Sequence, residues 1–177
     1  MTIFSKRPLK GRTIVFCLYV LAIFTMLPYG RTLAVTIRSH GVLTKGVSVL
    51  TGLVFGFFII KSWPRFLLEP LKGIILVLLL MVVIATMYVT LELPEERLHF
   101  VQYALLGYLA GWTVAGIRAH HGSRKQLALA FLITFLIGTL DEMVQGILPM
   151  RTFDFHDIFW NVISAWTGLW VYHFSNA

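Results

Sequence analysis

Asp141, Glu142 and Gln145 follow a run from Leu127 to Leu140 that carries no charge, so two adjacent carboxylates and an amide sit at the end of an apolar helix. Burying such groups below a membrane surface costs about 2.5 to 3.5 kcal/mol per charge near the bilayer centre on insertion scales, and less toward the interface. Arg151, Asp154, Asp157 and Asn161 follow within twenty residues and offer groups that could offset that cost. Asp141 and Gln145 share a helix face, as do Asp157 and Asn161, whose face continues through Ser164 and Gly168. Upstream, Glu96, His99, Gln102 and Tyr103 fall on neighbouring ridges of another helix. The chemistry open to such a set is capture of a polar or cationic group, or of a divalent ion, by the carboxylates. Arg97 and Arg151 would pair with phosphate or carboxylate. Hydrogen-bonded glue between helices is the bland alternative, but Ser, Thr or Asn achieves it at less cost than two carboxylates.

Composition gives the elements that must hold these groups. The 177 residues are 58% hydrophobic and 13% charged, and the mean hydropathy is +0.81. These values fit an all-α polytopic membrane bundle and exclude an ordinary soluble domain. The net charge of +7 does not point to nucleic acid, because the basic residues lie in short tracts between apolar segments. Cys17, the single cysteine, forbids an intrachain disulfide and reads as a small apolar-site residue.

Six segments fit membrane spans of about 20 residues, two of them marginally. They are Thr13 to Tyr29, ended by Pro28-Tyr29-Gly30; about Gly41 to Ile60; Gly73 to Leu91; Leu98 to Ile117; Gln126 to Leu148; and Ile158 to Phe174. A basic, proline-broken loop over 61–72 separates the second and third. Lys6, Arg7, Lys10 and Arg12 before the first span resemble a secretory signal, but no A-x-A site follows, so the span is expected to be uncleaved. With both termini inside, the inner segments carry ten Lys and Arg and the outer ones five, which favours a cytoplasmic location for both ends. Seven of the eight acidic residues then face the outer compartment.

Gly52-x-x-x-Gly56 and Gly107-x-x-x-Gly111 are small-residue pairs suited to close helix packing. His120-His121 lies in a basic loop with no third ligand at helical spacing and reads as a solvated turn, so no resident metal set is expected. His99 could be a ligand or proton shuttle, or a histidine satisfied by Glu96. The templates H-E-x-x-H, G-x-S-x-G and C-x-x-C are absent, and no nucleophile stands beside the carboxylates.

The run Asp141-Glu142-x-x-Gln145, Pro149-x-Arg151, Asp157-x-x-x-Asn161 and Gly168 resembles the VanZ-like membrane proteins of bacteria, and Glu96-Arg97-x-His99-Phe100-x-x-Tyr103 looks like that family's upstream segment. Met150 stands where the family commonly has Gly, Glu96-Arg97 where it has Asp-Lys, and Ser164 where a Gly often follows the Asn. The motifs lie between Gly73 and Phe174, so residues 1–72 are expected to form a two-span extension and 73–177 the four-span VanZ-like region. The resemblance implies a multi-pass protein of the bacterial cytoplasmic membrane with a link to teicoplanin resistance. Its ligand set would be His99, Arg97, Asp141, Glu142, Gln145, Arg151, Asp157 and Asn161. The expected partners are the bilayer and a glycopeptide or lipid-linked cell-wall precursor; no cofactor is implied. The alternatives are an accessory subunit of a larger membrane complex and, less favoured, a proton-coupled transporter using Asp141 and His99.

Overall fold

A computed structural model of the protein describes residues 9–38, 42–91, 93–117, 123–149 and 153–176. Among these residues there are six helices: α1 (Leu9–Arg38), α2 (Val42–Leu68), α3 (Pro70–Thr90), α4 (Pro94–Ile117), α5 (Ser123–Ile147) and α6 (Phe155–Asn176).

Proline placement explains two departures from the sequence reading. Pro28 lies inside α1 and Pro64 inside α2, so the first helix runs on past the expected stop at 28–30, and the expected 61–72 loop is mostly helix. In an apolar setting an interior proline is tolerated, because neighbouring groups satisfy the carbonyl it frees and a broken helix would leave more backbone unsatisfied. The chain turns instead at Glu69. Pro70 then takes the first position of α3, where a missing N–H costs nothing. Arg65 and Lys72 both pair with Glu69 and pin that corner.

Cross-helix contacts fix an up-and-down arrangement. Arg12 Nη1 donates to the Trp112 carbonyl at 3.2 Å and its guanidinium lies 5.4 Å from the Trp112 ring centre. Seven residues further along α1, the Tyr19 hydroxyl donates to the Gln102 carbonyl at 3.0 Å, so α1 and α4 are antiparallel. Tyr88 of α3 donates to Ser48 of α2 at 3.2 Å, and Ser62 and Ser175 pair at 3.0 Å near the ends of α2 and α6. The start of α1 and the end of α6 therefore lie at one end of the bundle, together with the basic residues Lys10, Lys72 and Arg124. Asp141 and Glu142 lie toward the other.

α4 is the hub, packed on α1, α2, α5 and α6. A Cβ added to Gly107 would collide with the Ala165 carbonyl oxygen, and one added to Gly168 with that of Ala104, so glycine is what lets α4 and α6 run backbone against backbone. Phe55 and Phe58 of α2 stack on Phe100 and Tyr108 of α4, and Phe100 meets Trp160 of α6 edge-on. The face of α2 bearing Gly52 and Gly56 behaves differently: among the described residues, a Cβ at either would meet nothing within 4 Å, so that pair brings no helix into close approach there.

By length and composition, four of the described helices can cross a membrane: α1 over Lys10–Tyr29, α2, α3, and α5 over Arg124–Ile147. α3 turns Leu71, Val82 and Val89 outward, as a lipid-facing helix does. α4 and α6 turn Tyr103, Asn161 and Ser164 inward against other helices, so their sequences need not be as apolar as those of helices that meet lipid.

Candidate functional site

The second half of α5 buries a broad face. Asp141 and Glu142 have no exposed surface and Gln145 is 3% exposed. Four-residue spacing aligns Asp141 with Gln145, and Glu142 is three residues before Gln145, so one amide reaches both acids. Gln145 Nε2 donates to Asp141 Oδ2 at 3.3 Å and to Glu142 Oε1 at 2.9 Å. Among the buried residues of the site, this arrangement is built wholly from neighbours on a single helix.

α4 supplies the second wall. Its Tyr103, wholly buried, donates its hydroxyl hydrogen to Asp141 Oδ2 at 2.8 Å. His99, one turn earlier and 26% exposed, holds Nδ1 3.9 Å from the same oxygen. The Tyr103 ring passes over Gly138, one turn before Asp141, where an added Cβ would lie 3.2 Å from the ring and 3.4 Å from Cβ of Asn161. Small size at Gly138 thus allows tyrosine and asparagine to close over α5.

α6 supplies the third wall through Asn161, 3% exposed, whose Nδ2 has no hydrogen-bond acceptor in the structure. Asp157 lies in the first turn of α6, partly buried, where a carboxylate favours the helix N-terminus. Asp154 caps the same helix, its Oδ1 accepting from the His156 N–H at 2.8 Å, and His156 Nε2 accepts from the Trp160 indole N–H at 3.0 Å.

Of the residues expected in the site, Asp141, Glu142, Gln145 and His99 come together, with Asn161 beside them. Arg97 is turned elsewhere: its Nε donates to the Leu91 carbonyl at 2.8 Å and its guanidinium stacks 4.8 Å from the Tyr88 ring centre, so it closes the C-terminus of α3. Glu96 reaches back to the Leu93 N–H at 3.3 Å as a helix cap for α4, and does not take the role of a His99 partner. Arg151 and His120-His121 lie outside the described residues. Tyr103 is the direct contact that the candidate set omitted; its four-residue spacing from His99 was the available signal.

Residues 13–176 match the sequence model of the VanZ/LLP1 family. The chain belongs to the VanZ/LLP1 family. The match takes in α1 and α2, which the motif comparison over 73–174 left outside. In VanZ terms, the D-E-x-x-Q run is the α5 cluster, the D-x-x-x-N run is the first turns of α6, and the upstream H-F-x-x-Y segment delivers His99 and Tyr103 to it. No curated protein and no solved structure matches the chain.

Proposed function

We propose that this VanZ-like chain is a bacterial cytoplasmic-membrane protein whose cluster at Asp141, Glu142, Gln145, His99, Tyr103 and Asn161 binds, and modifies or occludes, a polar envelope molecule. The candidates are a glycopeptide of the teicoplanin class and a lipid-linked cell-wall precursor. In this reading all six helices cross, with both termini cytoplasmic and the cluster opening outward. α4 and α6, with 24 and 22 residues, reach about 36 and 33 Å at about 1.5 Å per residue, enough for a hydrocarbon layer of about 30 Å.

The observation that carries the reading is burial of two adjacent carboxylates, both held by one amide, against groups from two further helices. Inert glue does not call for paired acids in such a place. Asn161 adds an open donor for a ligand oxygen, and His99 gives the cluster a reachable rim. Asp141 is six residues before the end of α5, a depth of about 9 Å at about 1.5 Å per residue, which suits a headgroup or peptide more than a deep lipid tail. The decisive experiment compares teicoplanin sensitivity of cells carrying wild-type protein, Asp141→Ala or Asn161→Ala at equal membrane levels. Altered sensitivity in both variants supports the reading, and unchanged sensitivity in both removes the glycopeptide.

A second reading, an accessory subunit of a larger membrane complex, draws on the unoccupied Gly52 and Gly56 face of α2. Extraction in mild detergent separates the two: a large assembly of fixed stoichiometry favours the subunit, a lone monomer the pocket.

A further inference from the structure

We propose that His99, Asp141 and Glu142 form a binding site for one divalent transition-metal ion, of the Zn2+ or Mn2+ kind. This deepens the pocket reading, since the ion would occupy the same cluster, but it stands on geometry that does not depend on which envelope molecule is bound.

Each of the three residues offers one ligand atom, and these atoms lie within 4.8 Å of one another. Donors about 2.0 to 2.2 Å from a common ion sit roughly 3 to 4.3 Å apart, depending on the angle between them. The 3.9 Å between His99 Nδ1 and Asp141 Oδ2 falls in that range as it stands, and is too long for a hydrogen bond, which ends near 3.2 Å. The upper bound of 4.8 Å on the separations exceeds the coordinated range by about half an ångström, within reach of small side-chain torsions, and His99 is partly exposed.

The donor types agree with the geometry. One imidazole and two carboxylates are a borderline-to-hard nitrogen and oxygen set, suited to zinc, manganese or ferrous iron. With a neutral imidazole, two carboxylates cancel a dication, so the assembled site carries no net charge in surroundings where charge is costly. Three protein ligands also leave coordination positions for water or for an oxygen of a bound molecule, as in open rather than closed sites.

The surrounding groups hold the donors as outer partners of a metal site do. Tyr103 and Gln145 donate to Asp141 Oδ2, and Gln145 also to Glu142 Oε1, so both carboxylates are aimed before any ion arrives. The donors come from two helices packed along their length.

The test is direct binding to the purified full chain in detergent, stripped with chelator and titrated separately with Zn2+ and Mn2+ by calorimetry, with thermal unfolding in parallel. One equivalent of either ion should bind and raise the unfolding midpoint. His99→Ala and Glu142→Gln should each weaken binding at least tenfold, and Gln145→Ala by about tenfold, in line with the 10- to 100-fold losses known for outer partners. His99→Ala removes a side chain at the rim and leaves the α5 cluster intact, so it reads the site even if Glu142→Gln fails to fold. His120→Ala with His121→Ala should bind normally. Absence of stoichiometric binding, or full affinity in the His99→Ala variant, overturns the proposal. If no ion binds while Asp141→Ala still alters teicoplanin sensitivity, the metal inference falls and the pocket stands. If the ion binds as described and sensitivity never changes, the glycopeptide falls and the metal site stands.

Discussion

Tyr103 delivers a hydroxyl hydrogen from α4 to an acid that water does not reach, and its removal should be felt in stability before anything else. Tyr103→Phe keeps the ring over Gly138 and deletes the bond to Asp141. It should cost about 1.5 to 3 kcal/mol, as expected for a bond to a charged group, measurable by chemical unfolding in detergent. Asn161→Ala should differ in kind. Its Nδ2 has no acceptor to lose, so stability should change by less than about 1 kcal/mol while the drug phenotype is lost. Arg97 is the opposite case. Arg97→Ala should lower the unfolding midpoint through the loosened C-terminus of α3, worth about 0.3 to 1 kcal/mol, yet leave teicoplanin sensitivity at the wild-type level once expression is matched. Equal loss of drug phenotype in the Arg97 and Asp141 variants would restore Arg97 to the ligand set.

At the scale of the helices, Gly168→Val puts a Cβ and its two methyl groups where the Ala104 carbonyl now sits. The expected result is loss of folded protein from the membrane, and a second change on α4 should not rescue it, because the clash is with backbone. Gly52→Val on the open face of α2 should leave the isolated chain unharmed. The corner at Glu69 titrates. The hydrogen bond from Lys72 first, and then the charges of Arg65 and Lys72, hold its carboxyl below the ordinary 4.5. A depressed folded value means the stabilisation is present above the ordinary value and fades as pH falls through the folded one. The difference in unfolding midpoint between wild type and Glu69→Gln should therefore be steady at neutral pH and vanish in acid. Which parts of this were legible beforehand follows from distance along the chain. Apolar runs and the three- and four-residue spacings within α5 are local, and they gave the helices and the Asp141, Glu142 and Gln145 cluster. The turn of Arg97 toward α3 and the meeting of His99 with Asp141 depend on helix packing that no spacing encodes, whereas the cap made by Glu96 on the Leu93 N–H is a three-residue spacing that the sequence does carry. Pro28 and Pro64 misled for a related reason: a proline ends a helix in water more readily than in an apolar bundle.

For the molecule as a whole, alternation of six helices places Lys10, Lys72 and Arg124 at one end and the buried acids Asp141 and Glu142 toward the other. In the proposed topology, Arg124→Gln with Lys125→Gln should weaken retention of the segment between α4 and α5 on the cytoplasmic side, since Lys and Arg in short loops are what hold them inside; loss of protease cleavage of that segment in inverted vesicles reads the outcome. The contacts of Arg12 with Trp112 and of Ser62 with Ser175 carry a practical corollary. In the proposed six-span topology, a fluorescent tag joined ahead of α1 and another joined behind α6 would report from a single compartment. Both would be on the face away from the acids, so labelling at either tail leaves the opening to the cluster unobstructed.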